Sequence, residues 1–384
     1  MSGNVIGDVP GTDSLSGILI LEDVIRACLK NHFCNLHALE ERWCFAVAEY
    51  RGRSGRDSGK RRNTRSRKKR KQQRRRILVS ALIEVIILLL LAGAFCWERG
   101  LKARVIGLAG YFDGPPVKKL DVMGVNSSNV ILMDAKSGKI IGNLNGEERI
   151  YPASMTKIMT AIVALETFSD LDRKITLSED IFYTLNGQDA TQAGFQPGEE
   201  VRIRDLVYGV ILPSGAECCL ALADEVSGSE KAFVEKMNQK AKTIGMKNTN
   251  FVDCTGLHDP EHYSTAYDIA LLLRYALHNE TFCDVIESHF HSTPGTNVHP
   301  DGITYYSTMF KNMSDTSVIG GEVLGGKTGY TSEAGHCLAS FAQIYDREYI
   351  LVTAGAAADA TGVPHIQDAK TLYNRLGEAV AEKK

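Results

Sequence analysis

The stretch Tyr151-Pro152-Ala153-Ser154-Met155-Thr156-Lys157-Ile158-Met159-Thr160 contains the predicted start of the helix around which the fold is built. Pro152 suits the first turn of a helix, because that turn leaves backbone N–H groups unused and proline has none. Apolar residues then recur at helical spacing and form one face: Met155, Ile158, Met159, Ile162 and Leu165. This helix is therefore predicted to run through the interior of a domain rather than over its surface.

Strands are predicted on both sides of this helix in the sequence. Two candidates precede it and three lie near the end of the chain: 130–134, 140–144, 322–330, 336–344 and 348–354. The segment between them, roughly residues 170–290, has mainly helical periodicity. An amphipathic helix closes the chain, with these residues on one face: Ile366, Ala369, Leu372, Tyr373 and Leu376. The pattern predicts an α+β domain, in which one antiparallel sheet built from both ends packs against a helical cluster.

Charge is distributed very unevenly along the 384 residues, although the formal net charge is only −2. Residues 51–76 hold fifteen Lys or Arg and one acidic residue, whereas residues 101–384 hold 25 basic and 36 acidic ones. A block of like charge this dense is typical of a solvated tail. It lies directly before residues 77–97, a mainly apolar segment with a single charged residue, Glu84.

Residues 77–97 are long enough to cross a hydrocarbon core of about 30 Å as a helix. The positive-inside rule then predicts that residues 1–76 are cytoplasmic and that a spacer at 98–125 and a catalytic domain at 126–378 lie outside. A cleaved signal peptide is the alternative, but a lead of 76 residues is too long for its basic region. Membrane topology and anionic lipid also account for the basic tail, so no nucleic-acid partner is expected.

Three short motifs follow one another along the chain: Ser154-Met155-Thr156-Lys157, Ser214-Gly215-Ala216 and Lys327-Thr328-Gly329. Ser154 and Lys157 share one helix face, where a lysine that has lost its proton can activate a serine hydroxyl. Burial and neighbouring positive charge favour that uncharged lysine. The cation and hydroxyl of the third motif can hold a carboxylate, and its glycine leaves room for a substrate beside a strand. Taken singly, each motif more often has a purely structural role. The first would be a helix start, the second a capping serine and the third an edge strand.

In this order the motifs resemble those of the penicillin-recognising serine enzymes. Longer phrases narrow the resemblance, over about residues 125–375, to the serine-type D-alanyl-D-alanine carboxypeptidases, the low-molecular-mass penicillin-binding proteins. Besides the stretch quoted first, these phrases are Met133-Asp134-Ala135-Lys136-Ser137-Gly138-Lys139, Pro197-Gly198-Glu199, Asn248-Thr249-Asn250-Phe251, Thr255-Gly256-Leu257-His258, His262-Tyr263-Ser264-Thr265-Ala266-Tyr267-Asp268 and Gly325-Gly326-Lys327-Thr328-Gly329-Tyr330-Thr331.

The resemblance implies a fold, a reaction and a set of site residues. The fold would be the β-lactamase/transpeptidase-like domain, and the substrates would be peptidoglycan stem peptides ending in D-Ala-D-Ala, with β-lactams as covalent inhibitors. Ser154 would be the nucleophile, Lys157 its base and Ser214 a proton relay. The implied substrate-binding residues are Lys327, Thr328, Gly329 and Tyr330, the last sharing the oxyanion hole with the backbone N–H of Ser154. Neither a metal nor a cofactor is expected.

One departure from the family pattern keeps other functions open. The second motif usually ends in Asn, but Ala216 stands at that place, followed by Glu217. The missing amide would contact Lys157 and the substrate, and a lost polar contact costs about 1–3 kcal/mol. A non-catalytic wall-binding protein is therefore one alternative. A serine β-lactamase is another, although the Glu-x-x-Leu-Asn segment that activates water in some of these enzymes is missing from the chain.

Metal chemistry is the remaining alternative. His258-Asp259-Pro260-Glu261-His262 matches an inverted zinc-protease motif, but that motif needs a helix, and Pro260 disrupts one. Near the N-terminus Cys28, Cys34 and Cys44 alternate with histidines at a spacing that fits no standard zinc site. The five cysteines after residue 200 are predicted to be small buried thiols, with a single disulfide as the alternative.

Overall fold

The computed structural model describes residues 119–358 and 362–382. The predicted cytoplasmic segment 1–76, the predicted membrane span 77–97 and most of the spacer 98–125 lie outside these residues. Within the described ranges, no helix has both the length and the apolar character needed to cross a membrane.

The strands, in chain order, are β1 (Asn129–Asp134), β2 (Ile140–Leu144), β3 (Arg149–Ile150), β4 (Lys174–Thr176), β5 (Glu200–Arg202), β6 (Ser264–Thr265), β7 (Phe290–Ser292), β8 (Thr304–Tyr306), β9 (Ser317–Val318), β10 (Gly321–Thr331), β11 (Gly335–Ile344) and β12 (Arg347–Ala356). The α-helices are α1 (Lys157–Thr167), α2 (Glu179–Leu185), α3 (Ile203–Ile211), α4 (Ala216–Ser227), α5 (Glu230–Ile244), α6 (Ala266–Ala276), α7 (Glu280–Ile286), α8 (Thr308–Asn312) and α9 (Pro364–Ala381).

One six-stranded antiparallel sheet forms the frame of the domain, in the order β2-β1-β12-β11-β10-β9. The first two strands of the domain lie beside the last one, with Asn129 opposite Ala354. The predicted sheet, built from both ends of the domain against a helical cluster, is therefore confirmed. The middle of the chain also contains three small two-stranded pairs, β3–β6, β4–β5 and β7–β8, which were not predicted. Strands of two or three residues are too short to show periodicity.

Both faces of the sheet are covered, so β1 is buried along its whole length. Val130 and Leu132 face the closing helix α9 and pack in a cluster with Leu372. Ile131 and Met133 face the opposite way and join the core of the helical cluster. Because successive side chains of a strand point to opposite faces, this separation follows directly from the run of apolar residues in β1.

Helix α1 runs through the helical core, as predicted, with every residue from Lys157 to Leu165 buried. Its predicted beginning at Pro152 is wrong in one respect. Residues Ala153–Thr156 form a 3₁₀ turn, and the α-helix begins only at Lys157. The physical reason is the backbone of Ala153, whose φ of +47° is left-handed, so a regular α-helix cannot begin at this residue. In a 3₁₀ turn, side chains three residues apart eclipse one another, which brings Ser154 and Lys157 closer than an α-helix would.

A buried polar relay fixes this turn against the loop at residues 253–256. The carboxylate of Asp253 accepts hydrogen bonds from the backbone N–H groups of Thr255 and Gly256, and it pairs with His262 Nδ1 at 2.9 Å. On its other side, His262 Nε2 lies 2.8 Å from Thr156 Oγ1. Burial alone would raise the pKa of the Asp253 carboxyl. The hydrogen bond and charge of His262, together with the N–H of Gly256, outweigh burial and lower the pKa to about 2.

The relay predicts a specific loss of stability in acid. A carboxyl with a pKa of about 2 in the folded state, against about 3.9 in the unfolded state, stabilises the fold by about 3 kcal/mol at pH values well above 4. That contribution is lost as the pH falls from about 4 through 2. We expect Asp253→Asn to lower the free energy of unfolding by at least this amount at pH 7 and to flatten its dependence on pH between 4 and 2, measured by urea unfolding. The matched control is Asp301→Asn, at an exposed aspartate. An Asp253→Asn protein with the pH dependence of the wild type would contradict the assignment.

Candidate active site

The turn that carries Ser154 is held in a strained shape by its neighbours. Ala153 has a left-handed backbone, which is rare for residues with a side chain and is tolerated only where the surroundings enforce it. Gly256, with a φ of +83°, lies directly against this peptide, and a Cβ at Gly256 would stand 1.9 Å from the carbonyl oxygen of Ala153. The loop and the turn can approach this closely only because residue 256 has no side chain.

Lys157 is buried, and its ammonium has two partners. Its Nζ donates to Ser154 Oγ at 3.0 Å and to the carbonyl oxygen of Thr255 at 2.6 Å. The Thr255 carbonyl belongs to the same loop that Asp253 holds in place. The structure therefore brings the predicted nucleophile and the predicted base into direct contact and gives the base a fixed orientation.

Strand β10 passes over the nucleophile at Gly329. A Cβ at Gly329 would stand 3.1 Å from the backbone nitrogen of Ser154, so this glycine permits close approach of the strand to the turn. The next residue, Tyr330, has a side chain that is 56% exposed and lies beside the ring of His336. The last residues of strand β10, where the substrate is predicted to bind, and the predicted oxyanion residues thus lie within one small region.

Lys327 is fully buried in the same strand, and its Nζ donates to the carbonyl oxygen of Thr328 at 2.8 Å. Burial places the pKa of Lys327 well below the usual value for lysine, and the charge of Lys157 lowers it further. The charges of the two lysines therefore interact across the site, and the proton that this interaction disfavours is that of Lys327.

The hydroxyl of Thr328 is 2.7 Å from that of Thr308, at the start of α8. A hydroxyl can accept one hydrogen bond and donate another. With Thr308 as donor, the Thr328 O–H can donate to a carboxylate, and that role of Thr328 stays a prediction. Thr308 itself is fixed by its backbone N–H, which donates to the carbonyl oxygen of Leu212 near the second motif.

Ser214 lies just before α4, with a left-handed backbone (φ +70°) and a buried hydroxyl. The cap of α4 is Gly215, so Ser214 does not cap this helix as its sequence position alone would favour. Within the part of the chain that the structure describes, Ser214 Oγ has no hydrogen-bond partner. Burial raises the pKa of Cys219, in the first turns of α4, to about 12, while the charge of Lys157 acts in the opposite direction. The second motif therefore lies within the electrostatic reach of Lys157.

Glu217 is fully buried, and one of its carboxylate oxygens binds a neighbouring loop. Its Oε1 accepts hydrogen bonds from the backbone N–H groups of Ala193 and Gly194, at 2.6 and 2.9 Å. Burial raises the pKa of this carboxyl despite those bonds. The side chain thus attaches the loop around residues 191–195 to the second motif, and the N–H of Ala216 adds a bond to Thr191.

The residues of the proposed metal motif do not converge. Both ring nitrogens of His262 are engaged by Asp253 and Thr156, whereas His258 packs edge-on against Tyr151. In the described ranges, no group of three or more His, Cys, Asp or Glu side chains is arranged to hold a metal ion. The cysteines described there are all free thiols: Cys218, Cys219, Cys254, Cys283 and Cys337. All of them except Cys283 are buried, as predicted.

Sequence reasoning missed the residues that support the site. Asp253, His262 and Thr255 hold Lys157 and the turn of Ser154, but Asp253 and Thr255 were assigned no role and His262 was considered only as a zinc ligand. Two of them stood within phrases already quoted for the family resemblance, Thr255-Gly256-Leu257-His258 and the phrase beginning at His262. Their polar character at buried positions was the available signal, since buried polar groups need partners.

Comparisons with known proteins give one consistent result. A family model described as D-alanyl-D-alanine carboxypeptidase matches residues 117–358. Relatives include the D-alanyl-D-alanine carboxypeptidases DacF of Bacillus subtilis (strain 168), 34% identical over 246 residues, and DacC of Escherichia coli (strain K12), 33% identical over 248 residues. Each alignment covers 62% of this chain, and 60% and 59% of the respective relative. The chain therefore spans about three fifths of the length of these relatives.

The fold also matches solved structures. The crystal structure of the Streptomyces K15 DD-transpeptidase superposes with a TM-score of 0.61 at 27% identity, covering 67% of this chain and 98% of that one. The matched region of the family model contains the nucleophile turn, the second motif and strand β10. The chain belongs to the D-alanyl-D-alanine carboxypeptidase family.

Proposed function

We propose that this protein is a penicillin-binding serine D-alanyl-D-alanine carboxypeptidase, which removes the terminal D-Ala from peptidoglycan stem pentapeptides through an acyl-enzyme. The observation that carries the proposal is the buried contact of 3.0 Å between Lys157 Nζ and Ser154 Oγ, directly below Gly329 of strand β10. A nucleophile, its base and a carboxylate-binding strand then share one site, as acyl transfer requires.

In the acylation step, Ser154 Oγ attacks the carbonyl carbon between the two D-alanines while Lys157, in its uncharged form, accepts the hydroxyl proton. The negative charge that develops on the carbonyl oxygen is stabilised by backbone N–H groups, for which Ser154 and Tyr330 are the proposed donors. The substrate carboxylate binds at Lys327 and Thr328. Family membership and the position of Gly329 support this orientation.

Collapse of the tetrahedral intermediate breaks the C–N bond and releases D-Ala, whose amine takes the proton held by Lys157. Ser214 is the proposed relay for this transfer, because its buried hydroxyl has no other hydrogen-bond partner in the described chain. Water then attacks the ester carbonyl and restores Ser154 with its proton. A β-lactam enters the same path, but its leaving group stays attached to the acyl-enzyme, which accounts for a stable adduct.

Covalent labelling tests the assignment of the nucleophile and the base. We expect Ser154→Ala to abolish labelling by a fluorescent penicillin, because the acylated atom is gone, and Lys157→Ala to slow labelling by about 10²–10⁴-fold, the usual contribution of a general base. Ser178→Ala and Lys174→Ala, both at exposed positions, are the matched controls. An adduct on the Ser154→Ala protein, located by peptide mapping, would show that another residue is the nucleophile.

The same experiment separates the alternative functions. Release of D-Ala from a D-Ala-D-Ala peptide, together with a long-lived penicillin adduct, supports the carboxypeptidase. Rapid turnover of penicillin would indicate a β-lactamase instead. A penicillin adduct without any release of D-Ala would indicate a non-catalytic homologue.

The lowered pKa of Lys327 predicts how substrate binding depends on pH. This side chain attracts the substrate carboxylate only while it is protonated, so binding should weaken as the pH rises through the pKa of Lys327, which burial places well below the usual lysine value. We expect Lys327→Gln to raise the KM for D-Ala release and to remove this dependence. The measurement is KM from pH 6 to 11, with Lys174→Gln as control. A Lys327→Gln protein whose KM keeps the pH dependence of the wild type would contradict this role of Lys327.

The proposal includes a membrane location. Residues 77–97 would be an uncleaved anchor in the bacterial cell membrane, with residues 1–76 in the cytoplasm and the spacer 98–125 and the catalytic domain 126–378 outside. The support is the charge pattern, fifteen basic residues on one side of the apolar segment.

We expect the membrane-bound protein to retain residues 1–97 by intact mass, and protease added outside the cell to degrade only the residues after the anchor. A mature chain that begins after Ala94 would instead indicate a cleaved signal peptide.

A further inference from the structure

Beyond Gly329, past the end of strand β10, lies a carboxylate that the proposed reaction does not use. Glu333 lies in the turn between β10 and β11, and its side chain is 45% exposed. Its Oε2 stands 3.9 Å from His258 Nδ1, which is too long for a hydrogen bond. The carboxylate therefore keeps its capacity to accept hydrogen bonds from a ligand.

His258 connects this carboxylate to the nucleophile turn. It follows Gly256 and Leu257 in the loop that holds Lys157, and its ring packs edge-on against Tyr151 with centroids 4.7 Å apart. Tyr151 lies three residues before Ser154. The side chains of Tyr151, His258 and Glu333 thus form a continuous wall, here called the upstream rim, and Glu333 is its outermost member.

The direction of strand β10 decides which part of the substrate passes the upstream rim. The terminal carboxylate binds at Thr328 and the reacting carbonyl at Gly329, so the preceding residues of the peptide must run along Tyr330 toward the turn. Glu333 follows Gly329 by four positions, so the chain between them spans at most about 13 Å. The Cα atom of the residue before the two D-alanines lies about 5 Å from the reacting carbonyl. A four-carbon side chain that ends in an amine covers the remaining distance.

We infer that Glu333 determines specificity for stem peptides whose third residue carries a free side-chain amino group. The inference rests on the proposed function. The amine would be an ammonium ion at neutral pH, and the carboxylate of Glu333 would pair with it beside the exposed ring of Tyr330, which offers a further site for a cation. A stem peptide that has been cross-linked through this amine has lost the charge. The rim therefore favours stem peptides that have not donated their amine to a cross-link.

Two pentapeptides test the inference with the full-length protein. Both end in D-Ala-D-Ala, and they differ only in the third residue, which is L-lysine in one and Nε-acetyl-L-lysine in the other. An exposed ion pair is worth up to about 1 kcal/mol, so we expect the wild type to favour the free amine by about three- to fivefold in kcat/KM for D-Ala release. The preference should shrink at high salt, since exposed charges are screened.

Substitution of Glu333 should remove this preference without affecting the reaction itself. Glu333→Gln is expected to bring the ratio of the two kcat/KM values to about one by slowing only the peptide with the free amine, and Glu333→Lys to reverse the preference. Glu322→Gln is the matched control, because Glu322 is an exposed glutamate on β10, near the end of that strand farthest from Glu333. It should leave the ratio unchanged.

The outcomes separate this inference from the function on which it rests. Equal rates on both peptides in the wild type, or a preference that survives Glu333→Gln, would overturn the role of Glu333 while the carboxypeptidase stands. Release of D-Ala from neither peptide would overturn both.

Discussion

The position of one buried ammonium group determines the arrangement of the site. Lys157 Nζ is bound both to the Ser154 hydroxyl and to the Thr255 carbonyl, so the nucleophile and the supporting loop are connected through a single atom. A charged group at this depth is stable only with good partners, and an uncharged one only if the surroundings disfavour its proton. The charge of Lys157 also acts on the fully buried Lys327 of strand β10, whose pKa is lowered by burial and by this charge.

The neighbouring structure maintains this geometry against backbone strain. Left-handed φ values at Ala153 and Ser214 each cost on the order of 1–3 kcal/mol and persist because packing enforces them. Gly256 and Gly329 press the loop and the strand against the nucleophile turn, and the Asp253–His262–Thr156 relay holds the loop and the turn together. The site is therefore rigid before any substrate binds, which is the condition for electrostatic stabilisation of a transition state.

The long helices and strands and the residues of the three motifs could be predicted from the sequence, because each has a local sequence pattern. The apolar period of α1 indicated a buried helix, and the runs that became β10, β11 and β12 indicated strands near the end. The 3₁₀ turn at Ala153–Thr156 could not be predicted, since it depends on a left-handed residue that contacts from distant loops enforce. The same holds for Asp253 and His262, whose pairing joins residues nine apart in the sequence to a turn about a hundred residues away. Long-range polar contacts of this kind have no periodicity.

Ala216 shows how the structure accommodates a departure from the family pattern. In the resemblance, the side chain at this place contacts both the lysine and the substrate. Here the Thr255 carbonyl already accepts a hydrogen bond from Lys157, so the lysine keeps a fixed partner without an amide at residue 216. Glu217 is engaged elsewhere through one oxygen, since its Oε1 accepts hydrogen bonds from the N–H groups of Ala193 and Gly194. Of the two contacts attributed to the missing amide, the one with the lysine is therefore replaced by the Thr255 carbonyl. The positioning of the nucleophile rests on Lys157 and the loop at 253–256 and does not require an amide at residue 216, so the departure bears on contacts with the substrate and on the rate of turnover.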